Sequence, residues 1–475
     1  MSFSVSKTVN PPIVFLARRS ELTDRFDPEL VLFRRKTYRF KHPVRELRTL
    51  FTEPPQYGAG ERGLVRESPD QPRYIRITDI DENGVLNDEL GATAANVEQR
   101  YLLEEDDLLV ARSGNTVGKS YLHKSAHAPY LCFFAGYLIR LRFKRDQVLP
   151  EYVFAITQLP YYKEWVRAIR RAAGQPNINA QEYSSLDIPV PELAFQQNLV
   201  LLFQEAYAKK KRLDADARDL FRRVNTIVLD ELGIELPGDA RNTLRNRIFS
   251  VSLRDVTGGR LDPEMVLFKK GERRSKYPVR RLSEVFAESP QYGAGERGLD
   301  RDDPQEARYI RITDIDDFGR LSTEIGATAA TIEPQYVLQN DDLLVARSGN
   351  TVGKAYLHKS AHQPYSCFYA GYLIRLRFNT AAILPDFVFA VTQSSYYQTW
   401  VRAVQRRAGQ PNINAEEYSG FLIPLPPLSV QRVIVAKMQA ARADAQELQR
   451  RALAEFEGAK KAIEALILGT EGATA

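Results

Sequence analysis

Ala111–Ser120 reads ARSGNTVGKS, and Ala346–Ala355 reads ARSGNTVGKA. Both stretches resemble a phosphate-binding loop, but the spacing departs from one. A P-loop is G-x-x-x-x-G-K-[ST], with four residues between its glycines. Here three residues separate Gly114 from Gly118, and Ser113 stands where the first glycine belongs. In the second stretch Ala355 follows Lys354 and has no hydroxyl to offer Mg²⁺. A motif kept twice and broken twice argues against nucleotide hydrolysis. It points instead to a chain written in two copies.

Working outward from the loop, the same offset recurs everywhere. DPELVLF at Asp27 returns as DPEMVLF at Asp262, and PQYGAGERGL at Pro55 returns at Pro290. RYIRITDID at Arg73 returns at Arg308, AGYLIRLRF at Ala135 returns at Ala370, and AGQPNINA at Ala173 returns at Ala408. Each pair lies 235 residues apart. A unit this long is a duplicated domain rather than a solenoid repeat.

Within a copy, β-branched and aromatic content predicts strands over Arg73–Ile80, Leu108–Arg112 and Gly136–Phe143. Apolar spacing predicts one helix over Tyr152–Arg171. Ile188-Pro-Val-Pro and Ile423-Pro-Leu-Pro read as extended exits, because proline biases its predecessor away from helix. From Ala194 to Leu232 there is neither proline nor glycine, and Leu213, Ala217, Leu220, Val224 and Ile227 step 4-3-4-3 like a coiled-coil seam. Ile434, Met438, Ala441, Ala445, Leu448 and Ala452 repeat the pattern in the second copy. A long helix that is polar off its seam is stable only against a partner, and the other copy's helix is the obvious one. The alternative is that each helix folds back on its own globule. The expected fold class is α+β: two tandem homologous globules, each followed by a long helix, the helices forming an antiparallel coiled coil with pseudo-twofold symmetry. The expected boundaries are an N-terminal segment 1–26, a globule 27–193, a helix 194–233, a linker 234–261, a globule 262–428, a helix 429–469 and a tail 470–475.

Bulk properties narrow the setting. The 44% hydrophobic and 27% charged content over 475 residues is ordinary for globular protein, with room for two cores. Two cysteines cannot make a disulfide framework, which fits a reducing cytosol. No apolar run approaches the ~20 residues of a membrane span, and the first residues lack a secretory h-region; a cytoplasmic protein is expected. A net charge of +6 and a pI near 9.0 permit nucleic-acid binding.

In order along the chain, RYIRITDID, DDLLVARSGNTVGK, and GQPNINAQEYSSLDIPVPEL followed by Phe195-Gln-Gln resemble the specificity subunits of Type I restriction-modification systems. GQPNINAEEYSGFLIPLPPL with Val430-Gln-Arg repeats the signature. The resemblance covers nearly the whole chain. It implies two target recognition domains, each reading half of a bipartite sequence in double-stranded DNA. It also implies that the helices form a spacer docking two methyltransferase subunits, and that a motor-nuclease subunit completes the complex. The chain itself would be non-catalytic and hold no cofactor, with S-adenosylmethionine on the methyltransferase. Because the copies are nearly identical, the half-sites are expected to form an inverted repeat. Val65 against Asp300, Leu131 against Ser366 and Phe134 against Tyr369 are positions that could still separate them.

The candidate DNA-contacting residues fall in three motifs. Arg112, Asn115, Thr116 and Lys119, with Arg347, Asn350, Thr351 and Lys354, would donate to phosphate beside glycines that allow close backbone approach; a tight structural turn is the competing role. Tyr57 and Arg62, with Tyr292 and Arg297, sit in a Gly-rich loop suited to placing arginine on guanine or phosphate. Gln175, Asn177 and Asn179, with Gln410, Asn412 and Asn414, either touch DNA or cap the local turn. Arg167, Arg170 and Arg171, with Arg402, Arg406 and Arg407, serve backbone attraction or the helix dipole. His123, His127 and Cys132, with His358, His362 and Cys367, are open as metal ligands, although their spacing is loose for zinc. Asn10-Pro-Pro-Ile lacks the aromatic residue of an amino-methyltransferase motif, and Lys209-Lys-Lys-Arg212 reads as a solvated helix face. Two other readings remain: a specificity scaffold of another methylation-linked defence system, and a fused restriction or methylation enzyme. The repeats leave little chain for the latter's catalytic domain.

Overall fold

A strand apolar at every position needs cover on both faces, and Leu108-Leu-Val-Ala111 receives it. In the computed structural model, residues 28–36, 38–87, 90–128, 130–170, 176–236, 250, 268, 275–322, 325–405 and 411–468 are described. The N-terminal segment with Asn10-Pro-Pro-Ile, most of the 234–261 linker, the tail, and Arg171, Gln175, Arg406, Arg407 and Gln410 lie outside them.

The strands of the first copy are β1 (Val44–Glu46), β2 (Gln56–Tyr57), β3 (Leu64–Val65), β4 (Arg73–Ile75), β5 (Ala92–Thr93), β6 (Leu108–Ala111), β7 (Ser120–Leu122), β8 (Cys132–Phe134), β9 (Leu138–Leu141) and β10 (Asp187–Pro189). Its helices are α1 (Pro28–Arg35), α2 (Pro150–Thr157), α3 (Pro160–Ile169), α4 (Ala180–Ser184) and α5 (Leu193–Leu232). An antiparallel sheet in the order β2-β9-β6-β7 packs against a second in the order β3-β5-β4-β8, where β4 and β8 run parallel. Side chains alternate between faces along a strand. Leu108 and Val110 therefore join the core under α2 and α3, while Leu109 and Ala111 join the core between the sheets. The second copy repeats this with Leu343 and Val345 against Leu344 and Ala346. The proline-rich exit is extended as expected: Ile188 pairs with Arg45 across β10 and β1.

Several expected elements are shorter than the sequence suggested: the strand expected over Gly136–Phe143 covers only Leu138–Leu141, and that over Leu108–Arg112 ends at Ala111. The strand from Arg73 ends at Ile75, and a 3-10 turn covers Ile77–Asp79. The Asp79 carboxylate accepts from the Arg76 backbone N–H at 2.9 Å and pairs with the Arg76 guanidinium at 2.8 Å, curling the chain. The single helix over Tyr152–Arg171 is two, α2 and α3. Leu159 is extended and Pro160 opens the second helix, because the residue before a proline avoids the helical region. The second copy has Ser394-Ser395 there, and makes the same break with the Ser394 hydroxyl accepting from the Tyr397 N–H.

Both long helices, α5 and Leu428–Ile467, have 40 residues, about 60 Å at ~1.5 Å per residue. Each is tied to its own globule by a fully buried glutamine of the Phe195-Gln-Gln and Val430-Gln-Arg strings. The Gln196 amide accepts from the Leu149 N–H at 2.8 Å and donates to the Gln147 and Pro191 carbonyls. Gln431 does the same with Leu384, Ala382 and Pro426.

The chain divides into two compact units, which cut the long helices between Arg212 and Leu213 and between Arg451 and Ala452. In the first unit, Leu199, Val200 and Phe203 of α5 share the core with Phe456, Ile463 and Ile467 from the end of the second long helix. The Lys41 N–H donates to the Ile467 carbonyl at 3.0 Å, and the Tyr161 N–H to the Glu464 carboxylate at 2.6 Å. In the second unit, Val224, Val228 and Leu232 from the end of α5 join Ile434, Val435 and Met438. Each globule therefore packs the start of its own helix and the end of the other. Along α5 the buried stripe runs Ala217, Phe221, Val224 and Val228, with Leu220 and Ile227 only half-buried. The stripe departs from the expected seam because the helix end must also face a globule core.

One contact has no counterpart among the described residues of the first unit. Phe318 stacks on Phe221 with ring centroids 4.1 Å apart, and Arg320 donates to the Gln449 amide oxygen at 2.9 Å. The first copy carries Asn83 and an exposed Val85 at these positions.

Candidate nucleic-acid interface

Three separate motifs meet at one place in each unit. In the first, the Tyr57 ring at the end of β2 lies under the Arg112 guanidinium, 4.7 Å from its centroid. The Tyr57 hydroxyl accepts from the Ala180 N–H at 3.0 Å, which pins the ring to the start of α4. Arg112 is held by its backbone from two sides: its N–H donates to the Tyr137 carbonyl at 2.9 Å, and its carbonyl accepts from Ile178 at 2.8 Å. Ser113 bridges Asn177, and the Gly114 N–H donates to the Pro176 carbonyl at 3.0 Å. Beneath them the buried Tyr183 hydroxyl donates to the Ala111 carbonyl at 2.7 Å, and burial pushes its ionisation well above the usual phenol range.

The second unit repeats every part. Arg347 lies 4.7 Å over Tyr292, whose hydroxyl accepts from Ala415 at 3.1 Å. Ser348 bridges Asn412, the Gly349 N–H donates to Pro411, and Tyr418 donates to Ala346 at 2.7 Å. Agreement over so many contacts means that both copies present the same chemistry.

The glycines explain the loop that first looked like a P-loop. Gly114–Thr116 is a 3-10 turn, with Gly114 and Gly118 at φ of +74° and +88°, a region that costs other residues strain. A Cβ on Gly118 would also sit 2.8 Å from the Val166 methyls. At the other motif, a Cβ on Gly58 would overlap the Ala135 carbonyl.

The remaining candidates are placed less uniformly. Arg62 and Arg297 are exposed, without an ion pair among the described residues. Lys119 donates to the Ile80 carbonyl at 3.3 Å and pairs with Glu82 at 2.7 Å; Lys354 repeats this with Ile315 and Asp317. The Thr116 and Thr351 hydroxyls donate to the Ser113 and Ser348 carbonyls at 3.3 Å. The backbone of Asn115 lies in the turn, and Asn350 is exposed in its copy. Asn177 and Asn412 are half-buried at the junction. Asn179 and Asn414 are helix caps, each accepting from the N–H three residues on at 2.8 Å. Arg167, Arg170 and Arg402 lie exposed on or just after the helix before it.

Among the described residues no group of three or more His, Cys, Asp or Glu is placed to hold a metal ion. His123 is buried with Nδ1 3.1 Å from the Tyr121 hydroxyl, and Cys132 is buried with its thiol pushed up to about 11 by burial. Of the positions that differ between copies, Val65 and Leu131 are exposed, as are Asp300 and Ser366, whereas Phe134 and Tyr369 are core. Sequence reasoning passed over Tyr137 and Tyr372, each 59% exposed beside the arginine. Their signal was a tyrosine directly after glycine in an otherwise strand-like run. Among the described residues no helix is long and apolar enough to cross a membrane.

Comparison with known proteins gives a consistent picture. Residues 275–457 match the Type I restriction modification DNA specificity domain. That range lies in the second copy, whose motifs the first carries 235 residues earlier. The specificity subunit of the Type I restriction enzyme StySPI from Salmonella potsdam is 23% identical over 399 residues, covering 80% of this chain and 78% of that protein. The EcoKI specificity subunit of Escherichia coli K12 is 23% identical over 415 residues, covering 82% and 81%. A solved chain from a type I restriction-modification system is 16% identical, covering 90% of this chain and 97% of that one at a TM-score of 0.46.

Proposed function

The chain belongs to the Type I restriction-modification specificity family, and we propose from that premise that it is the DNA sequence-specificity subunit of such a system. The recognition domains, 27–193 and 262–428, each read one half of a bipartite target in double-stranded DNA. The observation that carries this is the junction of the tyrosine, arginine and asparagine motifs, built twice with the same contacts. Backbone-positioning and base-reading groups must act together from one surface, and here loops distant in sequence supply one. Since the two surfaces match, the half-sites form an inverted repeat around unread bases.

The long helices pair antiparallel as the spacer. In support, Phe203 and Tyr207 contact Phe456 and Lys209 pairs with Glu455 at 2.7 Å in one unit. In the other, Ala217 packs with Ala445 and Lys437 pairs with Glu231 at 2.5 Å. Two methyltransferase subunits dock on these helices and bring S-adenosylmethionine, and a motor-nuclease subunit joins them to cut. In this reading the chain catalyses nothing and works in the cytoplasm.

The test is to co-express the chain with its neighbouring methyltransferase and map N6-methyladenine across the genome by single-molecule sequencing. A new bipartite inverted repeat is the expected result. Two unlike half-sites would keep the specificity role and overturn the symmetry. No new methylation would count against the role itself.

A further inference from the structure

We infer that Arg112 and Arg347 are the base-reading arginines, each presenting its guanidinium to the O6/N7 edge of a guanine in its own half-site. The inference rests on the specificity role and goes further, because it gives one side chain per unit a sequence-reading task.

The first argument is the state of other arginines that are buried or partly buried. Arg66 donates to three backbone carbonyls, Arg73 to Asn87 and Tyr130, and Arg142 grips Asp107 with two bonds of 2.6 and 3.1 Å. Most of their donors are spent inside the domain, although the Arg73 Nε is sealed without an acceptor as well. Arg112 donates no side-chain hydrogen bond to a described residue, and its Nε is sealed from solvent without an acceptor. Arg347 has the same orphaned Nε and a single 3.4 Å contact to the Gly371 carbonyl.

The second argument is that these guanidinium groups are fixed although unspent. The ring 4.7 Å beneath each one restrains it through cation–π attraction. That ring is itself pinned by the hydrogen bond its hydroxyl accepts. The backbone on both sides of the arginine is clamped as well. A phosphate accepts from many directions, and exposed arginines such as Arg62 or Arg167 satisfy it. A guanine edge offers two coplanar acceptors, which reward a guanidinium that is already restrained. Both arginines hold the same pose, so both half-sites carry guanine at the same position on opposite strands.

The test uses the full-length chain co-purified with its methyltransferase and a selection from randomised duplexes. The unaltered complex must first yield a specific target; if none emerges, the specificity role fails rather than this inference. With a target in hand, Arg112→Ala should lower the preference for guanine at one position of one half-site by about 10- to 100-fold. Arg347→Ala should do so at the matching position of the other half-site. Arg112→Lys keeps the charge and should lose the same preference, because an ammonium cannot make the paired contact. Uniform weakening across all sequences, with a shallower salt dependence and rescue by lysine, would assign the residue to phosphate and overturn the inference. An unchanged guanine preference would overturn it too. Continued protection from a thiol reagent of Cys132 in the Arg112 variants, and of Cys367 in Arg347→Ala, shows that the altered unit is folded.

Discussion

Tyr57 joins three motifs through one ring: its face carries Arg112, its hydroxyl takes the Ala180 N–H, and its strand pairs with β9. All three motifs were legible in the sequence as repeated strings, but their junction was not. Nothing in local spacing tells that residues far apart along the chain share a ring. The local devices were easier to read. Asn179 with Glu182 is a capping box visible as Asn-x-x-Glu, and the glycines of the Arg112 turn announce positive φ. Lys119 illustrates the opposite limit. A lysine after Thr-Val-Gly looks like a phosphate ligand, yet its amine is engaged by Ile80 and Glu82. The turn itself sets a prediction: Gly118→Ala must hold φ near +88° and crowd Val166 at 2.8 Å. It should cost about 1–3 kcal/mol, read as a lower urea midpoint with unchanged slope, and Gly353→Ala should match it.

At the scale of elements, periodicity located helices better than it located their ends. The break between α2 and α3 was written in Pro160, but the second copy achieves it with Ser394, so no single residue type marked it. The seam of α5 was legible as apolar spacing. Its shift onto Phe221 and Val228 was not, because two different surfaces compete for that helix end. The Phe318–Phe221 stack shows the copies diverging where an element meets a helix. Exchanging Phe318→Asn together with Arg320→Val installs the first copy's residues. The exchange should destabilise the second unit by about 1–2 kcal/mol. Hydrogen exchange would show it as faster opening of the Ile315–Leu321 hairpin and no change in the first unit.

For the whole molecule, duplication and fold class were plain from the repeats, whereas the sharing of helix ends was not, since it depends on contacts between opposite ends of the chain. The two cysteines supply a reporter for each unit, as Cys132 and Cys367 are both buried with thiols pushed up to about 11. At pH 8 neither should react with iodoacetamide until its unit opens. Deleting residues 452–475 removes Phe456, Ile463 and Ile467 from the first unit's core. Each such loss costs about 2–5 kcal/mol, and together they rival the ~5–15 kcal/mol that holds a whole domain. Mass spectrometry of the labelled protein should then find Cys132 modified and Cys367 still protected; the reverse pattern would contradict the shared core. The same arrangement sets an order of events on the ribosome. The globule made first must wait for residues 456–467 before its core can close. At ~5–20 residues per second that delay is on the order of tens of seconds, during which Leu199 and Phe203 stand uncovered. The half translated later has its borrowed helix waiting for it, and is the first to be finished.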